Sequence, residues 1–118
     1  MPAMSTRGFQ ITGRAGATAS ALILCVTGPI THSTAPALQE AVRAATSMSL
    51  IIDLSEVPSV DSMAIGALVR AYVFCNKSGR KLMLVGMNHR VRNVLRLTGV
   101  DSLFDTYATI PEAESALG

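Results

Sequence analysis

The 118-residue chain has no tryptophan, three phenylalanines and two tyrosines. That scarcity removes the aromatic platforms on which single-stranded nucleic acids stack. A formal net charge of +2 is likewise too small for a surface that tracks phosphates, so nucleic acid is not an expected partner. Charged residues make up only 15% of the chain and apolar ones 49%, which places it among folded domains rather than disordered segments. No apolar run comes near the roughly 20 residues of a membrane span. The opening MPAMSTRGFQ has no apolar stretch behind Arg7 and does not read as a secretory signal, so the expected address is the cytoplasm. Residues 1–8 are expected to be a flexible N-terminus and residues 9–118 one domain.

Cysteine is also sparse. Cys25 and Cys75 lie far apart, each inside an apolar segment, with no CxxC pair and no Cys/His cluster at metal spacing. They read as two buried thiols, with a redox pair as the lesser alternative. The sequence holds no G-x-S-x-G elbow, no phosphate loop and no G-x-G-x-x-G, and only His32 and His89 could serve as a base. No catalysis, metal or cofactor is expected. Acidic residues are missing altogether between Asp61 and Asp101, where Arg70, Lys77, Arg80, Lys81, Arg90, Arg92 and Arg96 all fall. A solvated positive face explains this first, and an acidic protein partner second.

What is present alternates. Phe9–Thr12 is a weak strand, followed by a loop-like GRAGATAS. ALILCVTG (21–28), SLIIDL (49–54) and KLMLVG (81–86) are short continuous apolar runs, as expected of strands buried on both faces. TYATI (106–110) is a shorter candidate. Between them lie helical patterns. HSTAPALQEAVRAATS has Ser33 or Thr34 to cap it, Pro36 in its first turn and Leu38, Ala41, Val42 and Ala45 on one face. A second helix runs from about Ser62 to Cys75, with Gly79 as a left-handed stop. A third is capped by Asn88 and ended by Gly99, with Val100 closing back on its last turn, and Pro111 opens a short fourth. Strands separated by such helices require right-handed crossovers. The predicted architecture is a single α/β domain whose four- to five-stranded, largely parallel or mixed sheet carries packed helices.

The stretch SEVPSVDSMAIGALVR (55–70) is the most informative. Asp61 or Ser59 can cap the second helix, and Ser62 follows in its first turn. Ile65, Leu68, Val69 and Tyr72 are expected to pack on the sheet. Met63, Ala67, Arg70 and Phe74 then fall on the opposite side, which is covered either by another helix or by a docked protein. A phosphoryl group on Ser62 would meet the positive end of the helix dipole and would not unfold the chain.

DLSEVPSVDSMAIGALVRAY resembles the signature of STAS domains of the anti-sigma factor antagonist type, where a D-L-S-like turn leads to D-S-S-G-L-G at a helix start. CVTGPITHSTAPALQEAV and KLMLVGMNHRVRNVLRLTGVDSLFDTYATIPEA resemble that family's neighbouring segments, so the likeness runs from Ala21 onward. It implies an antagonist that binds an anti-sigma factor with serine-kinase activity and frees a sigma factor. It further implies release when Ser62 is phosphorylated, and a serine phosphatase that reverses the step. Asp61, Ser62, Met63, Ala67, Arg70 and Phe74 are the expected partner-binding residues. Met63 and Ala64 depart from the pattern, standing where the family has a small hydroxyl residue and a glycine. The competing reading keeps the fold and drops the switch: a non-phosphorylated adaptor on a transporter or larger signalling assembly. A homodimer is compatible with either.

Overall fold

A computed structural model describes residues 3–6, 8–17 and 21–117. One six-stranded mixed sheet organises them, in the spatial order β1 (Ala3–Thr6), β2 (Phe9–Ala15), β3 (Ala21–Thr27), β4 (Ser49–Glu56), β5 (Lys81–Val85) and β6 (Asp105–Tyr107). The β1–β2 and β2–β3 pairs are antiparallel, while β3 through β6 run parallel. The parallel half follows from its connections. Strands β3, β4 and β5 are linked by α1 (Ala35–Ala44) and α2 (Ser62–Lys77), and α3 (His89–Leu97) with a 3-10 turn at Asp101–Leu103 leads to β6.

Two apolar layers sandwich the sheet. On one face, Ile11, Leu24, Leu50, Ile52, Leu54 and Leu84 pack with residues of α1, α2 and α3. On the other, Ile23, Ile51, Met83 and Val85 meet Ala113 of α4 (Ile110–Leu117). Alternate residues of one strand thus serve both layers, which is why β3, β4 and β5 read as unbroken apolar runs.

Most expected elements appear, with five differences. Ala3–Thr6, expected to be loose, pairs with β2 as an edge strand, and β2 itself runs on through Gly13, Arg14 and Ala15. Residues 18–20 of the expected loop lie outside the described residues. Thr34 occupies the position before α1 but does not cap it. Its hydroxyl instead accepts the Thr31 N–H at 2.8 Å and donates to the Pro29 carbonyl at 3.0 Å. Arg80 is not part of a solvated face, because it is half-buried and its Nε donates to the Ser47 carbonyl at 2.6 Å. Cys25 is only half-buried and lies on the α4 side of the sheet, whereas Cys75 is buried on the other. Both are free thiols. The stops hold: Gly99 has φ +77° and the Val100 N–H reaches back to Leu95 at 3.1 Å.

Candidate functional site

Three loops converge where the parallel strands end. The chain leaving β3 meets the chain leaving β4 in an isolated parallel bridge between Ile30 and Val60. Ile30 donates to the Ser59 carbonyl at 3.1 Å, Asp61 donates to Ile30 at 3.2 Å, and Gly28 donates to Glu56 at 3.0 Å. The two loops are therefore zipped to one another before α2 begins. From the third side, Asn88 donates its amide to the carbonyls of Val57 and Pro58, each at 3.2 Å, while its Oδ1 caps α3 through the Val91 N–H at 2.8 Å.

Asp61 completes the junction. One carboxylate oxygen accepts the Ala64 N–H at 2.8 Å and caps α2, and the other accepts the His32 N–H at 3.1 Å. Between the two capping candidates, Asp61 and Ser59, the side chain of Asp61 does the capping. Ser62 is then the first residue of α2, exposed to solvent, on a backbone pinned from both neighbouring loops. Nothing in the sequence pattern marked the His32 backbone or the Asn88 amide as part of this site. The Asn88 cap was legible, but its second use as a bolt onto the preceding loop depends on the packing of α3.

Along α2 the expected partner residues divide. At 100° per residue, Met63, Arg70 and Phe74 fall within about 40° of one another. All three are exposed, Met63 by 56% and Phe74 by 39%. Ala67 is a correction. It is 0% exposed, in the main core, on a helix against which α1 packs, so it offers nothing to a partner. The buried arc of α2 is turned from the expected one. Ala64, Ile65, Ala67, Leu68, Ala71 and Cys75 face inward, whereas Val69 and Tyr72 are half-buried. Tyr72 sets its ring edge-on to Phe104 at 5.7 Å. Small residues line the inner face because two helices and a sheet must approach closely there.

A cleft of about 620 Å³ lies elsewhere, on the α4 side of the sheet, with Arg14, Asp53, Ser55, Gly86, Ile110 and Glu114 among its walls. None of the six residues expected to meet a partner lines it. No group of three or more potential metal ligands occurs among the described residues.

The STAS domain family model matches residues 10–113. The chain belongs to the STAS domain family. Among curated relatives, a candidate anti-sigma factor antagonist from Thermotoga maritima is 38% identical over 64 residues, 54% of this chain and 57% of the relative. The match thus spans just over half the length of that relative. Two solved structures align over 90% of this chain and 92% of their own. One is the crystal structure of a candidate antagonist from Thermotoga maritima, at 25% identity and a TM-score of 0.79. The other is an anti-sigma factor antagonist from Mycobacterium paratuberculosis, at 30% identity and a TM-score of 0.76. Within STAS domains, then, the similarity in sequence runs to proteins named as antagonists of anti-sigma factors, while the fold is shared equally with STAS domains of anion transporters. No helix among the described residues is long and apolar enough to cross a membrane.

Proposed function

We propose that this STAS domain is an anti-sigma factor antagonist. It binds, in the cytoplasm, an anti-sigma factor that is also a serine kinase, and phosphorylation of Ser62 ends the complex. The observation that carries the reading is an exposed serine at the first position of α2, directly after the Asp61 that caps the helix and holds the neighbouring loop. The exposed side of α2 that starts with Ser62 and Met63 and continues through Arg70 to Phe74 supplies the docking surface. Its mixture of apolar side chains and one arginine suits the centre of a protein interface.

The switch is electrostatic. The kinase moves the terminal phosphoryl group of ATP to the Ser62 oxygen, with loss of the hydroxyl proton and release of ADP. The new group carries about −1.5 to −2 charges at neutral pH. On the free protein it stands in water at a helix start, where the local dipole favours it. Within the complex it would have to be desolvated against a surface shaped for a neutral hydroxyl. About 4 kcal/mol of such penalty already weakens binding roughly 1000-fold. Removal of the phosphate by a serine phosphatase restores the docking surface.

The test pairs chemistry with binding. Incubation with the anti-sigma kinase and ATP should place one phosphate on Ser62, found by mass spectrometry, and none on a Ser62→Ala protein. Ser62→Asp should weaken binding at least tenfold, less than the phosphate because it carries less charge. Undiminished binding by Ser62→Asp, together with an unmodified Ser62, would overturn the reading. A transporter recovered as the stable partner would replace it with the adaptor role.

A further inference from the structure

We propose that Arg70 is the intramolecular counter-ion of Ser62 once that residue carries a phosphoryl group, and that Gly66 is the seat that lets it serve. The inference rests on the reading above, in which Ser62 is the phosphate acceptor. It adds a second consequence of the modification: the docking surface gains a dianion and loses its cation in the same event.

The geometry starts from spacing. Residues 62, 66 and 70 are separated by four, so each advances only about 40° around α2 and the three share one side. Side chains on a helix lean toward its N-terminus and cover the turn before their own Cα. Arg70 does so fully. A Cβ placed on Gly66 would stand 3.4 Å from Arg70 Nη1, 3.8 Å from Nη2 and 3.9 Å from Cζ, so the three nearest atoms it would meet all belong to that guanidinium. The guanidinium therefore already lies over Gly66, a full turn closer to Ser62 than its own backbone.

What remains is one turn, about 6 Å of axial rise over four residues. A phosphoryl group lengthens the serine side chain, and an arginine fork closes on phosphate oxygens at about 2.7–2.9 Å. Bidentate geometry favours arginine over lysine for this contact. On α2 itself rival charges are few, and on the adjoining loop the one titratable side chain is that of His32, whose backbone N–H Asp61 holds. Helix α2 carries no acidic side chain, and the sequence has none between Asp61 and Asp101. Both oxygens of Asp61 are already occupied by backbone N–H groups. Lys77, at the far end of the helix, stands about 22 Å away in axial rise. Ser62 and Arg70 are both exposed, so neither needs to leave a packed site to meet the other.

The experiment dispenses with the kinase. Phosphoserine is installed at position 62 by an expanded genetic code, and its second ionisation, normally near pH 6, is followed by ³¹P NMR at low salt. A guanidinium beside the phosphate favours the dianion, so the wild-type titration should lie about half a unit or more below that of Arg70→Gln. Arg70→Lys should fall between them, and Lys77→Gln, which removes an equal charge from the same helix, should match wild type. Gly66→Gln, which fills the seat, should shift the curve toward that of Arg70→Gln. In the phosphorylated protein alone, the Arg70 Nε–H resonance should move and its exchange should slow. Coincident curves for wild type and Arg70→Gln would overturn the pairing while leaving phosphorylation and partner release at Ser62 intact. Conversely, a kinase that ignores Ser62 would remove the switch without altering this titration.

Discussion

The Asp61 carboxylate accepts the backbone N–H of His32 at 3.1 Å, across 29 positions of chain, while its other oxygen caps α2 through Ala64 at 2.8 Å. One side chain thus starts a helix and fastens the loop in front of α1 to it. The residue beside the exposed serine is structural first, whatever it also offers to a partner.

Asp61→Ala removes both bonds. The expected cost is about 1–3 kcal/mol, the sum of a lost cap and a lost charged acceptor at a partly exposed site. Asp61→Asn keeps a capping oxygen and should recover roughly half. Urea denaturation with an unchanged slope would check the pair. Equal stability of Asp61→Ala and wild type would mean that the junction is held by the backbone bridge of Ile30 and Val60 alone.

Asn88 permits a sharper separation, because its two ends do different things. The oxygen caps α3, and the amide nitrogen donates to the Val57 and Pro58 carbonyls. Asn88→Ala should cost about 1–2 kcal/mol. Asn88→Asp retains the cap yet sets a carboxylate against two carbonyl oxygens, so it should be no more stable than Asn88→Ala. A stability equal to wild type would show that the cap alone matters. Thermal melts suffice, since a change of 1 kcal/mol moves the midpoint of a domain this size by about 3–6 °C.

Much of this arrangement was written in the sequence. The continuous apolar runs of β3, β4 and β5, the caps at Asp61 and Asn88 and the stop at Gly99 are local signals, and local signals survive folding. The failures share a cause. Gly13-Arg14-Ala15 reads as loop because glycine is a poor strand former, yet pairing with Leu24, Ile23 and Leu22 of β3 carries β2 through it. Helix α2 is apolar nearly all round, so periodicity alone could not orient it. Its inner face was decided by the close approach of α1, which favours alanines over the larger Val69 and Tyr72. The Asn88 bolt joins residues about 30 apart, and no local pattern encodes it.

The two thiols should behave differently. Burial pushes the Cys75 thiol up, with the nearby Arg80 charge partly opposing the shift. An acid whose folded pKa is raised contributes stability that is fully present below its unfolded pKa, about 8.5 for a cysteine, and lost as pH climbs toward the folded value. Wild type should therefore lose stability between about pH 8 and 10 more steeply than Cys75→Ala. Iodoacetamide at pH 8 should label the half-buried Cys25 of the native protein well before Cys75, the two becoming equal in urea. Parallel pH curves for wild type and Cys75→Ala would refute the linkage.

The departures at Met63 and Ala64 separate contact from scaffold. Met63 is 56% exposed and Ala64 fully buried, one position apart on α2. Met63→Ser should leave stability within about 0.5 kcal/mol, as for an exposed site free of caps or packing. It should also weaken binding to the proposed anti-sigma partner, because the apolar side chain beside Ser62 is lost. Ala64→Gly should do the reverse, lowering stability by about 1 kcal/mol through helix propensity while the docking surface keeps its side chains. Ala67→Leu tests the corrected position: a larger group in a filled core should cost about 1–3 kcal/mol. Phe74→Ala, at the exposed end of the same helix, should reduce binding with little loss of stability. If Met63→Ser and Phe74→Ala both bound the partner as wild type does, the docking surface would have to be sought away from this side of α2.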